Sequence, residues 1–375
     1  MSGSGATKRR AIVAGHICLD IFPLFESPPD DPHKLFAPGH LFPIESTLFS
    51  TGGAVANTGG GLQALGIETY LVGRVGADGF GSQIASILSS RHPKESIALK
   101  VVPDGGTSYS IILSSPSFDR IFFHFSGVND SFASTDIDPA MLAGRDLLHF
   151  GYPPAMEGMY REEGRELADL FSRAKAAGLT TSLDLSFPQP GSKSADADWR
   201  RILERVLPSV DLFLPSFDEL QFMLRDSAAG EADVPRLREL SEWVLSRGCA
   251  VCALKMGSDG LYVRTIEDPH RIEAIGRCAP GSPESWSGRE LIEPCFRVDA
   301  MGTTGAGDAT IAGFLAAVLR GLPLEEVTLM ALAAGAASVE AVESAGGLPA
   351  WETLRGRVSA GWQRARARLS LQPGG

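Results

Sequence analysis

No run of eighteen uninterrupted apolar residues occurs in the sequence, so no segment reads as a membrane-spanning helix. No Gly-Lys dipeptide occurs either, which excludes a Walker A phosphate loop. No G-x-G-x-x-G follows the first apolar run, where a dinucleotide-binding Rossmann fold would carry it. Cations are in deficit: 34 Lys and Arg against 45 Asp and Glu give a formal net charge of −11. That sign argues against nucleic acid or an anionic membrane as partner, although a few local groups suffice to bind a small anion. Five cysteines in 375 residues are too few for a disulfide scaffold. Cys249 and Cys252 form a C-x-x-C, but they sit in the apolar run CAVCALKMG with no second such pair and no nearby histidine to complete a zinc set. They read as core thiols. The start, KRR followed by AIVAGHICLDIF, has the outline of a secretory signal, yet His16 and Asp20 interrupt it and no small-residue cleavage site follows. A buried first strand and a cytoplasmic protein are the expectation.

What is present is an ordinary globular composition, 44% hydrophobic and 21% charged, long enough for one large α/β domain or two smaller ones. Short apolar runs alternate with helical patterns. AIVAGHICLDI, ETYLVGRVG, DLLHFGY, LTTSLDL, DLFLPS and CAVCALKMG read as strands; GAVANTGGGLQALG, FGSQIASILSS, GRELADLFSRAKAAG and VPRLRELSEWVLSRG read as helices. That order predicts a mostly parallel sheet covered on both faces, hence the α/β class. Two stretches break it. Residues 97–125 hold three consecutive β segments joined by Gly-Gly and Ser-Pro-Ser turns, and residues 21–49 are proline-rich with short apolar pieces. Together, 21–49 and 97–125 are expected to form a small β lid able to exclude water from a site beneath it. Residues 276–293 read as a surface loop, and 1–9 and 369–375 as loose termini.

One stretch concentrates chemistry. In TTGAGDATIAGFLAAVL, residues 303–319, Ile311, Phe314, Leu315, Val318 and Leu319 recur at helical spacing, so a helix begins near Gly305. Its first amides have no intrahelical partner and carry the positive end of the dipole, and Gly305, Ala306 and Gly307 would leave them open to an anion with Asp308 in reach. Taken alone, the string reads equally well as a Gly-rich turn capped by Asp.

GTTGAGDATIAGF (302–314) is similar to the C-terminal signature of the ribokinase-like, PfkB-type carbohydrate kinases. TGGAVANTGGGLQALG (51–66), followed by VGRVGADGFG (72–81), resembles that family's N-terminal GG-x-x-x-N and VG-x-D-x-x-G region. The resemblance covers roughly residues 10–350. It implies a three-layer α/β/α sandwich with a mostly parallel central sheet and a small β lid. It further implies a kinase that uses ATP and Mg²⁺ to phosphorylate a hydroxyl of a sugar or sugar-like molecule. Asp308 would be the general base, with the amides of Gly305, Ala306 and Gly307 stabilising the phosphoryl group in transfer. Asp20, Gly52, Gly53, Asn57 and Asn129 would meet the acceptor, Asn129 through SGVND. Thr304, Ser216, Glu219, Lys255 and Gly257 would face ATP, with Glu219 acting on Mg²⁺ through water. ALAAGAASVEAV (331–342) would flank the adenine pocket.

Three positions depart from the family pattern. Gly302 stands where relatives often carry an Asp six residues before the base, which argues against activation by a monovalent cation unless Asp299 substitutes. Ser216 replaces an Asn in SFDE. DLSFP (184–188) lacks the Asn and Arg of the D-x-N-x-R found in many sugar-acid and fructose kinases. Lids in this family often pair, so a homodimer through the lid is expected. A nucleoside kinase of the same superfamily is the alternative enzyme, with Phe22, Phe25, Phe36, Phe122 and Phe123 available to hold a base. A sugar-binding regulatory protein without catalysis is the other alternative, and the intact GAGD argues against it.

Overall fold

Consecutive residues of the first strand, Arg10–Gly15, feed opposite cores: Ala11 and Val13 pack into one, Ile12 and Ala14 into the other. Strand Val251–Lys255 repeats this, with Val251 and Ala253 on one side and Cys252 and Leu254 on the other. Because side chains alternate across a strand, a strand that is apolar on both faces needs cover on both. The computed structural model, which describes residues 9–371 apart from 27–30, 37, 116–117, 226–229, 303 and 341–347, supplies that cover. A large sheet runs in the order Glu290–Glu293, Leu261–Thr265, Val251–Lys255, Leu212–Phe213, Thr180–Leu183, Leu147–Gly151, Arg10–Gly15, Glu68–Gly76, Ile97–Val102. Its pairings are parallel except at one edge, where Leu261–Thr265 is antiparallel to both neighbours.

Helices Ala54–Ala64, Ala306–Leu319 and Leu324–Val339 lie on one face of the sheet. Glu157–Ala176, Trp199–Val206 and Val234–Leu245 lie on the other. The stripe expected along Ala306–Leu319 is buried as read, but Ala312, Ala316 and Ala317 are buried too. This helix is enclosed on all sides because its neighbours present small residues. A β-carbon on Gly61 would stand 2.9 Å from Ala312, and one on Gly313 would stand 2.6 Å from Ala334. Cys249 and Cys252 are buried free thiols of the core. No helix among the described residues is long and apolar enough to cross a membrane.

The AIVAGHICLDI run is not one strand. The chain leaves the large sheet at His16 and Ile17 and enters a second, four-stranded sheet ordered Ile44–Gly52, Cys18–Phe25, Tyr109–Ser115, Phe118–Phe125. Both halves are buried, so hydrophobicity runs unbroken across the switch. Asp20 therefore belongs to the small sheet rather than to the end of the first strand. Residues 97–102, read as part of the lid, pair in parallel with Glu68–Gly76 at the edge of the large sheet, because Ile97 and Leu99 pack on its core. Within 276–293, read as loop, Glu290–Glu293 forms the other edge. Leu369, read as part of a loose end, packs against the second core.

Candidate active site

Parallel strands place all their carboxyl ends along one edge, where open α/β sheets bind ligands. His16 follows Arg10–Gly15, Tyr152 follows Leu147–Gly151, Asp184 follows Thr180–Leu183, Ser216 lies just past Leu212–Phe213, and Lys255 ends its strand. Helix Ala306–Leu319 starts against this edge. Gly305 precedes it at φ 79°, a left-handed conformation that suits glycine, and contributes no capping side chain. Its first-turn amides thus lack a side-chain partner from the cap, and a β-carbon on Gly307 would lie 3.9 Å from Lys255 Nζ.

Asp308, in that first turn, is 3% exposed. Three neutral donors converge on its carboxylate: Thr58 Oγ1 donates to Oδ1 at 2.7 Å, and Tyr152 OH and Asn57 Nδ2 donate to Oδ2 at 2.6 and 3.1 Å. Tyr152 is held in the left-handed region (φ 65°, ψ 42°), a strain of the kind that clusters at functional sites. Burial, then the neighbouring Asp308, pushes its phenol well above the ordinary value, so it remains a donor.

On one side of Asp308 lies a polar face. Register across the small sheet lines up Ser50, Asp20, Ser110 and His124 in a single row. His124 Nδ1 is 3.0 Å from Ser110 Oγ, and the Cys18 thiol donates to Asp20 Oδ1 at 3.3 Å. Burial raises the Asp20 carboxyl to about 6, against the lowering effect of its bonds to Cys18 and Ser110. Gly52 and Gly53 bring the next helix close: a β-carbon on Gly52 would collide with the Asp20 carboxylate, and one on Gly53 with the His16 carbonyl. His16 lies near-parallel to Tyr152 (ring centroids 6.2 Å apart), and burial, helped by His124, pushes it down to about 3, so it is neutral. His16 Nδ1, Asn57 Oδ1 and Asn129 Oδ1 are buried without a hydrogen-bond partner. Buried polar atoms are rarely left so, and orphans near one face suit a polar ligand. Asn129 itself is fully buried, and its amide donates to the Ile17 carbonyl at 2.7 Å, pinning the passage between the sheets.

On the other side of Asp308 opens a cleft of about 790 Å³, lined by Asp184, Ser216, Glu219, Lys255, Gly257, Ala306 and Gly307 among others. Ser216 caps helix Phe217–Met223: its hydroxyl accepts from the Glu219 amide at 3.2 Å, while Glu219 Oε2 accepts from the Ser216 amide at 2.7 Å. Lys255, which could have been an exposed strand end, is instead largely covered and ion-paired with Asp184 at 2.6 Å. Burial raises the Asp184 carboxyl to about 8 even against Lys255. Burial alone would lower the Lys255 ammonium, but Asp184 and Glu219 more than offset it. Both shifts have one cause: a single ammonium sits among the carboxylates of Asp184, Glu219 and Asp308. Thr304 precedes the helix outside the cleft lining, and Asp299 is exposed.

The structure thus brings Asp308, Asn57, Gly305, Ala306, Gly307, Ser216, Glu219, Lys255 and Gly257 to one place, with Asp20, Gly52 and Gly53 adjoining. Sequence reasoning missed Thr58, Tyr152, His16, His124 and the partner role of Asp184. Thr58 was findable as the residue after Asn57 on the same helix. The others are single residues at strand ends or in the small sheet, with no spacing signal.

A model of the pfkB family carbohydrate kinases matches residues 31–351. An uncharacterized sugar kinase of Archaeoglobus fulgidus is 24% identical over 291 residues, which make up 77% of this chain and 98% of the relative. An ATP-dependent ribose-1-phosphate kinase of Halopiger xanaduensis is 26% identical over 328 residues, 87% of this chain and 90% of the relative. The structure of Arabidopsis thaliana ribokinase complexed with ribose and ATP matches with a TM-score of 0.70 at 18% identity, covering 93% of this chain and 98% of that one. That likeness establishes the ribokinase fold, the α/β sandwich anticipated from the motifs. With the family model matched from residue 31 to residue 351, the chain belongs to the pfkB family of carbohydrate kinases.

Proposed function

We propose that the protein transfers the γ-phosphoryl group of ATP to a hydroxyl of a sugar or sugar-like acceptor. The observation that carries this reading is Asp308, oriented by three neutral donors at an uncapped helix start between a polar face and a cleft. The acceptor hydroxyl would donate to Asp308, which takes its proton as the oxygen bonds to phosphorus and the bond to the ADP oxygen breaks. The amides at Gly305, Ala306 and Gly307, with Lys255, would stabilise the charge on the transferring group. Thr58 and Tyr152 would fix the carboxylate, while Asp20 and Asn57, whose Oδ1 is unpartnered, would meet acceptor hydroxyls.

No group of three metal-ligating side chains occurs among the described residues. Glu219, in the cleft lining, would hold a Mg²⁺ ion brought with the nucleotide, through water. The excess of carboxylate over ammonium in the cleft suits such a cation. When bound, the ion would offset phosphate charge.

A thermal-shift panel of sugars, sugar acids, polyols and nucleosides, followed by ADP release with each hit, tests the function, since a ligand of the native state raises apparent stability. A stabilising hydroxylated ligand that drives ADP release is the expected result; no such ligand, and no acceptor-dependent ADP, would sink the reading. The nucleoside alternative keeps one specific support. Residues two apart share a strand face, so Phe22 and Phe122 stand on the Asp20 side of the small sheet, one step out from Asp20 and His124.

Acceptor affinity should fall about tenfold from pH 7 to pH 5, as Asp20 takes up a proton near 6. The stability sign is opposite. A carboxyl raised above its unfolded value costs stability as pH climbs from about 4 through 6. Asp20→Asn should thus weaken acceptor binding yet raise the thermal midpoint at pH 7, by an amount equivalent to about 2–3 kcal/mol.

Dimer formation would follow from the small sheet, which exposes Leu48, Phe49, Phe122, Phe123 and Phe125, each near half its surface. Light scattering should give twice the chain mass at micromolar concentration, and Phe123→Asp should halve it.

A further inference from the structure

Beyond helix Trp351–Ser359 the chain turns back along residues 293–298. Trp362 stacks on Phe296 with ring centroids 4.7 Å apart, and its indole N–H donates to the Arg297 carbonyl at 3.1 Å. The Arg297 amide donates to the Gln363 carbonyl at 2.8 Å, and the Ala365 amide to the Cys295 carbonyl at 2.7 Å. Arg364 pairs with Glu293 at 2.8 Å while its guanidinium lies 4.3 Å over the Phe296 ring. Arg368 pairs with Asp259 at 2.6 Å and with Glu231 at 3.2 Å. These residues form a strap, and it lies past residue 351, where the family match ends.

The strap reaches the cleft. Ala365 lines it together with Phe296, Val298, Leu332, Gly335, Ala336 and Val339. Against the charged group of Asp184, Glu219, Lys255 and Asp308, this part of the lining is apolar and mostly small. A nucleotide has the same division: an anionic chain at one end and a planar base with apolar faces at the other. Small side chains let a flat ring lie close, and an aromatic pair stiffens the wall behind it.

We infer that the C-terminal strap, residues 362–368, is part of the nucleotide site, with Ala365 and the Phe296–Trp362 stack walling the space for the base. The inference rests on the proposed use of ATP and adds an element that belongs to this chain rather than to the matched family region. The exposed ion pairs of Arg368 are weak in water, so the strap's hold depends chiefly on the stack, the backbone bonds and the half-buried Arg364.

Calorimetric titration of ATP, ADP and inorganic tripolyphosphate, which lacks a base, tests this on the wild-type chain, on Ala365→Trp and on a chain ending at Ala360. Both variants should bind ATP and ADP at least tenfold more weakly and bind tripolyphosphate as the wild type does. ATP affinity within twofold of wild type in both variants would overturn the strap's role. So would parallel weakening of ATP and tripolyphosphate, which would make the strap a general support of the fold. Wild-type protein that binds neither ATP nor ADP would instead overturn the kinase reading, and this inference with it.

Discussion

Asp308→Asn should lower turnover roughly 10²–10⁴-fold, the range a positioned general base supplies, while leaving the acceptor dissociation constant within a factor of about three. The substitution preserves volume but replaces one carboxylate oxygen by an NH₂ group, which can only donate. Thr58 Oγ1 faces one oxygen, and Tyr152 OH and Asn57 Nδ2 face the other, so the NH₂ group fits only beside Thr58, whose hydroxyl can turn to accept, with the amide oxygen kept on Tyr152 and Asn57. Thr58→Val is the companion. It removes one bond to Asp308 without removing the base, and it should reduce turnover far less than Asp308→Asn while leaving both KM values nearly unchanged. Steady-state kinetics and acceptor titration on both variants check this. Undiminished turnover in Asp308→Asn would remove the carboxylate from the mechanism.

How much of this was legible in the sequence depends on what each feature leaves in a local pattern. The alternation of strand and helix, the helix start at Gly305 and the core placement of Cys249 and Cys252 follow from periodicity and residue type, and all are found. Gly52 and Gly53 carried a family resemblance, and their close approach to Asp20 and His16 supplies its physical reason. What stayed hidden is non-local. The sheet switch at His16–Ile17 leaves no mark because the residues on both sides are buried. Residues 97–102 look like the lid strands that follow them, and only their partner in the large sheet tells them apart. Tyr152 reaches Asp308 from 156 positions away, and Lys255 reaches Asp184 across 71. No spacing rule spans such gaps. In DLSFP the sequence drew attention to the missing Asn and Arg, whereas the residue that matters in the structure is the Asp184 that remained.

Lys255→Met should reduce turnover about 10²–10³-fold and raise the KM for ATP, because it removes the one ammonium beside the helix start that would face the phosphates. It should also destabilise the fold, in a manner set by pH. With Lys255 gone, Asp184 is left buried without its partner, and its carboxyl, already raised to about 8, rises further. A group raised in the folded state is neutral in both states below its unfolded value near 4. Above that, folding requires it to stay protonated while the unfolded chain ionises. Because the wild-type carboxyl already stands near 8, both chains carry that slope up to there, and the deficit of Lys255→Met should grow, by up to about 1.4 kcal/mol per pH unit, only above about pH 8. By about pH 10 it should approach the roughly 3 kcal/mol at the lower end for a buried pair broken on one side. The double variant Lys255→Met/Asp184→Asn separates the two roles of the lysine. An amide in place of the Asp184 carboxylate leaves no charge to bury, so the thermal midpoint above about pH 8 should recover most of the loss and its pH dependence should flatten. Turnover should stay low, because the phosphate-facing ammonium is still missing. Recovery of both together would mean that the pair supports the fold alone. Recovery of stability without turnover ties Lys255 to the transferring phosphoryl group and makes Asp184 the residue that holds it there before nucleotide arrives.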